Sequence, residues 1–165
     1  MVDVGFSLET DEEISSDLFA PRRNAATLAA LRAADVVLAV GAADPVSLAR
    51  LLRAHVELVE TVDSARIEVL INRVRGGVVG LNPAAQIGAT LLRFGGIIAP
   101  ALVPDDAPSY DAALLSARTV RDAAPKSAAV AALRRLVDSR LLPAEPQPAP
   151  VRSRRPRLGR RLAAG

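Results

Sequence analysis

The chain has 165 residues, half of them apolar, which is enough for one domain with a core of its own. Its four aromatics, Phe6, Phe19, Phe94 and Tyr110, imply an aliphatic core and exclude a stacking platform for single-stranded nucleic acid; zero cysteine and one histidine, His55, exclude disulfides, thiolate metal sites and most imidazole chemistry. The net charge of +3 is unevenly placed, because residues 1–150 hold 15 basic against 18 acidic residues while residues 151–165 hold six arginines and no acid.

Met1-Val2-Asp3-Val4-Gly5 reads as the end of a buried strand closing on an acid and a glycine. The acids Glu9, Asp11, Glu12 and Glu13 that follow read as a solvated segment. Asn24–Ala33 is expected to be a helix, with Asn24 available as its cap and apolar Leu28 and Leu31. Three apolar runs come next, Val36–Val40, Ile67–Ile71 and Ile97–Val103. They are near-continuous rather than alternating, which is the pattern of parallel strands covered on both faces.

The segments between these runs have the length and periodicity of crossover helices. The first opens with Asp44 as N-cap and Pro45 in the first turn, and places Leu48, Leu51, Leu52, Val56 and Val59 on one face. Arg50, Arg53, Glu57 and Glu60 form its solvated side, and His55 lies at the boundary. The second runs between Asn82-Pro83 and Gly95-Gly96 with Ile87, Leu91 and Phe94 inward. A last helix is predicted from about Lys126 to Leu142, with Val130, Leu133, Leu136 and Val137 on its apolar face.

Residues 143–150, Pro-Ala-Glu-Pro-Gln-Pro-Ala-Pro, favour an extended linker, and disorder is expected from there to the end. The expected division is therefore a domain over 1–142 and a Pro-rich linker with an Arg-rich tail over 143–165. No apolar run approaches the roughly 20 residues of a membrane span, and the reading is a cytoplasmic protein with no transmembrane segment.

The polar clusters sit at strand ends: Asp3-x-Gly5, Gly41 to Asp44-Pro45, Asn72-Arg73, and Pro104-Asp105-Asp106. In a parallel sheet these ends share one edge, where ligands bind, so the clusters are expected to line one crevice. The stretch Arg73 to Gly80, with Arg75 and three glycines, suits an anion-binding loop in composition but reads better as a connector.

These residues in this order resemble the MinD/ParA-like P-loop ATPases, in particular actinobacterial members related to chromosome-partitioning, septum-site and CpaE-type pilus proteins. The matching stretches are Val2 to Glu9, Pro21 to Thr27, Ala34-Asp35 through Asp44-Pro45, Asn72-Arg73, and Pro104 to Asp106. The resemblance covers roughly residues 1–141 and corresponds to the C-terminal half of that family's ATPase domain. It implies a partial three-layer α/β domain of P-loop NTPase type and, in the family, ATP and Mg²⁺ as cofactors.

By resemblance Asp3 organises Mg²⁺ through water, and the Gly5 amide senses the terminal phosphate. Asn72 recognises adenine with Arg73 beside the base, and Pro104, Asp105 and Asp106 line the base pocket. The sequence holds no G-x-x-x-x-G-K-[ST] phosphate loop, and its single lysine, Lys126, follows Ala124-Pro125. The chain alone is therefore expected not to hydrolyse ATP, and to be either part of such an ATPase from a truncated gene or a non-catalytic binding module.

The resemblance implies a homodimer or a paralogue as partner. The tail arginines, Arg152, Arg154, Arg155, Arg157, Arg160 and Arg161, suit nonspecific contact with nucleic acid or an anionic surface. A solubilising tail without a partner is the plainer reading.

Overall fold

The computed structural model describes residues 1–4, 24–62, 66–76 and 82–142. In chain order it contains α1 (Ala25–Arg32), β1 (Val36–Ala42), α2 (Pro45–Thr61), β2 (Arg66–Val74), α3 (Pro83–Gly95), β3 (Ala101–Pro104), α4 (Ala107–Leu115), α5 (Val120–Ala123) and α6 (Ala128–Leu136). The three strands form one sheet in the order β1-β2-β3, and both pairings are parallel. The α/β layering expected from the three apolar runs is thus the architecture observed.

Side chains alternate across the sheet, so β2 and β3 each feed a core on either face. On one face Val69 and Ile71 of β2 pack with Leu48 and Leu51 of α2 and Ile87 and Leu91 of α3. Val37 of β1 joins Leu31 of α1 and Leu58 of α2 on the same side. On the other face Leu70 and Val103 meet Ala129, Ala132 and Leu136 of α6. Ile71, Ile87 and Leu91 are wholly buried, and at about 25 cal/mol per Å² each contributes roughly 2–3 kcal/mol.

Two helix starts follow the local chemistry. The Asp44 carboxylate accepts the Ser47 N–H at 2.9 Å, and the Asn82 side chain accepts the Ala85 N–H at 3.2 Å, each with proline in the first turn. α3 stops at Gly96, whose φ of 64° only glycine adopts without strain; there the Ile97 N–H returns to the Leu91 carbonyl at 3.2 Å.

Several expectations are corrected. The third apolar run is a strand only over Ala101–Pro104. Ile97 is buried under α3, Ile98 is exposed, and left-handed Ala99 (φ 50°) turns the chain before Pro100, so the apolar residues ahead of the strand serve a turn. Met1–Val4 enters no strand; Val4 packs beside the α1 cluster and its carbonyl accepts the Thr27 hydroxyl at 3.3 Å. Asn24 precedes α1 without its side chain closing the cap.

The apolar faces also shift. In α2 the buried stripe is Leu48, Leu51 and Leu58, while Val56 and Val59 are more than half exposed. The helix is rotated onto Leu51, which comes down on Gly41, where β1 has no side chain to hold it off. Phe94 is turned outward with the Arg93 guanidinium over its ring at 5.3 Å.

The last helix ends at Leu136 and passes into a π-helical turn, Val137–Leu141. Its core side is made by Ala129, Val130, Ala132 and Leu136, whereas Leu133 and Val137 face partly outward. Alanine lets this helix lie closer to the sheet than leucine would. Arg140 of the π turn reaches back to Glu68 on β2 at 3.3 Å and to the Ala99 carbonyl at 2.7 Å, and the Arg66 guanidinium both pairs with Glu68 and donates to the Arg140 carbonyl.

Among the described residues the same alternation leaves part of the sheet uncovered. Leu38 and Val40 of β1 lie opposite Glu68 and Leu70, on the face that α6 covers over β2 and β3 only. Val40 is 58% exposed, and among the described residues no strand pairs with the outer edge of β1.

Candidate functional site

The carboxyl ends of the strands surround a crevice of about 480 Å³, within the range of small-molecule sites. Ala42, Ala43 and Asp44 come from the end of β1, Asn72, Arg73 and Arg75 from the end of β2, and Pro104, Asp105 and Asp106 from the end of β3. The first turns of α4 add Tyr110 and Asp111. Asn72, Arg73, Pro104, Asp105 and Asp106, which the sequence singled out, are therefore brought together.

A bulge sets the direction of the β2 residues. Ile71 pairs with Leu102 and Val74 with Pro104, so three steps on β2 answer two on β3. The extra residue is absorbed at Arg73, whose φ is 57°, an uncommon conformation for a long side chain. Asn72 supports it: its Oδ1 accepts the Arg73 N–H at 2.8 Å, and its backbone carbonyl accepts the Ala43 N–H at 2.9 Å. That leaves the two Nδ2 hydrogens of Asn72 as its remaining donors.

The opposite wall is held from β3. The Asp105 N–H donates to the Val74 carbonyl at 3.0 Å, and its carboxylate pairs with Arg75 at 3.5 Å. Asp106 precedes α4 but does not cap it with its side chain; its carboxylate instead accepts the hydroxyl of Ser127, at the start of α6. The Ser127 hydroxyl, with a lesser contribution from Ser109, holds Asp106 below the usual carboxylate range. Across the crevice, the Ser47 hydrogen bonds do the same for Asp44.

Asp3 is exposed, and Gly5 lies outside the described residues, as do 77–80 of the glycine-bearing connector and the linker and tail of 143–165. Among the described residues no group of three or more acids and histidines is arranged to hold a metal. His55 is at the edge of the buried face of α2, and burial pushes its pKa down. No helix of the described residues is long and apolar enough to cross a membrane.

Tyr110, Asp111 and Ser127 were not anticipated as part of this site. The signal for the first two was present: Asp106-Ala107-Pro108 directly after a strand starts a helix, whose next residues must overhang the same edge. Ser127 carries no such signal, since it is 21 residues from Asp106.

No protein-family model matches this chain, and no curated protein sequence matches it. In structure it is similar to a ParA family ATPase from Chlorobium tepidum TLS, with a TM-score of 0.45 and 20% identity, covering 62% of this chain. The match spans about 40% of the length of that protein.

Proposed function

We propose that the crevice is the base pocket of a MinD/ParA-like nucleotide-binding domain, and that this chain contributes the base-recognising part of it. The observation that supports the reading is that the five residues marked out by sequence resemblance line one crevice at the carboxyl edge of a parallel sheet. Asn72 offers donors to the ring nitrogens of a purine, and the strand-end backbone and the carboxylates offer acceptors for its amino group. In such a domain the complete site would hold ATP with Mg²⁺ and serve in positioning a chromosome, septum or pilus complex in the cytoplasm. With no phosphate-loop sequence present, this chain alone binds the base and does not hydrolyse the triphosphate.

Adenosine titration of the full chain tests this. A ring of about ten heavy atoms at about 0.4 kcal/mol each gives a Kd near 1 mM, and the triphosphate should bind no more than a few-fold tighter. Asn72→Ala should weaken adenosine at least fivefold. Equal binding of the variant would remove Asn72 from the site.

A second reading, a non-catalytic dimerisation module, is favoured by the bare edge of β1. Val36–Ala42 contains no charge, proline or bulge, the usual protections of an edge strand, and exposes Leu38 and Val40. Pairing with a second copy or a paralogue would cover both. Light scattering separates the readings: a defined dimer supports the module, and a polydisperse aggregate supports a domain lacking its neighbouring strand.

A further inference from the structure

Asp106 borders two crevices, the base crevice and a smaller one lined by Ser109, Lys126 and Ser127. Ser127 is the one buried polar residue among those described, at 7% exposure. Its hydroxyl donates to Asp106 and accepts the Val130 N–H at 3.3 Å, capping α6. α6 is in turn fixed to the sheet by Ala129, Ala132 and Leu136. Asp106, which does not cap its own helix, thus has its carboxylate tied to α6, which packs beside Tyr110 of α4 on the same face of the sheet, with Ser109 of α4 as the lesser partner.

We propose that Ser127 is a positioning residue for the base crevice, holding the Asp106 carboxylate in place through its hydroxyl. The inference rests on the base-pocket reading for its ligand, but the contact itself is readable without one. A buried hydroxyl with both of its hydrogen-bond roles assigned has little freedom to rotate, and a bond to an ionised acceptor is stronger than one between neutral groups. The charged groups sharing these crevices with Asp106 are Asp44, Asp105, Asp111, Arg73 and Arg75 on one side and Lys126 on the other.

The test is a carboxylate NMR titration of Asp106 in the full chain, paired with adenosine titration of the same samples. Ser127→Ala should raise the Asp106 pKa and weaken adenosine about three- to tenfold, while Ser127→Thr, which keeps the hydroxyl, should restore both toward wild type. In an Asp106→Ala background, Ser127→Ala should have no further effect on adenosine.

An unmoved Asp106 titration in Ser127→Ala would overturn the proposal. So would an equal loss of affinity in the Asp106→Ala background, since Ser127 would then act only through the packing of α6. Wild type that binds no adenosine would sink the base-pocket reading, and the Asp106 titration would still decide the contact. Should Ser127→Ala not fold, the titration of Ser127→Thr decides: an Asp106 pKa at the ordinary carboxylate value would overturn the proposal.

Discussion

The approach of α2 to β1 depends on one missing side chain, and a double-mutant cycle can measure it. A Cβ built on Gly41 would lie 2.9 Å from Leu51 Cδ2 and 3.3 Å from Leu51 Cβ, where ordinary contact begins near 3.4 Å. The methyl tip can rotate away, but Cβ moves only with the helix. Overpacking of this kind costs about 1–3 kcal/mol, and the reduced entropy of the unfolded chain returns about 0.5–1 kcal/mol, so Gly41→Ala should destabilise by up to about 2.5 kcal/mol. Leu51→Ala, at 7% exposure, should cost about 2–4 kcal/mol.

In the double variant the new methyl occupies space that Leu51 has vacated. The combined loss should therefore fall short of the sum by about 1 kcal/mol or more. Denaturant unfolding of the full-length chain and the three variants supplies the cycle. Additivity within about 0.4 kcal/mol would refute the close approach as the reason for glycine here. The site should report it too, because Gly41 leads directly into Ala42, Ala43 and Asp44 of the crevice wall.

Four further outcomes are expected. Glu68→Ala, which leaves Arg66 and Arg140 facing each other, should cost about 1–2 kcal/mol in denaturant unfolding, and much less in an Arg140→Ala background. Burial lowers the His55 pKa, so its contribution to stability is present above the unfolded value of 6.5 and is lost as pH falls below it; His55→Asn should flatten the stability profile as pH falls from about 7. The lowered Asp44 and Asp106 pKa values act further down, with stability present above 3.8 and lost as pH falls below it, and Asp106→Asn should reduce that acid slope in thermal melts. Leu38→Glu with Val40→Lys should suppress self-association seen by light scattering, and deleting residues 151–165 should abolish any salt-sensitive binding to heparin without changing the melting temperature.

Much of this protein is determined locally. The apolar runs at 36–40 and 67–71, the Asp44-Pro45 and Asn82-Pro83 helix starts and the Gly95-Gly96 stop are where the sequence puts them, because continuous apolar character, capping and left-handed glycine act over a few residues. The convergence of Asn72, Arg73 and Pro104–Asp106 was also legible, since parallel strands bring their carboxyl ends to one edge whatever else the fold does.

What the chain does over longer distances was decided only in three dimensions. Whether Leu133 or Ala132 faces the sheet depends on how closely α6 can approach it, and composition favours the wrong one. The bulge at Arg73 arises from unequal lengths of β2 and β3 between fixed pairs, a property of neither strand alone. The hydrogen bond from Ser127 to Asp106 joins residues 21 apart, and the exposed Leu38 and Val40 look like any buried strand until the reach of α6 is known. Periodicity states that a side chain is apolar; only the neighbouring element determines whether anything covers it.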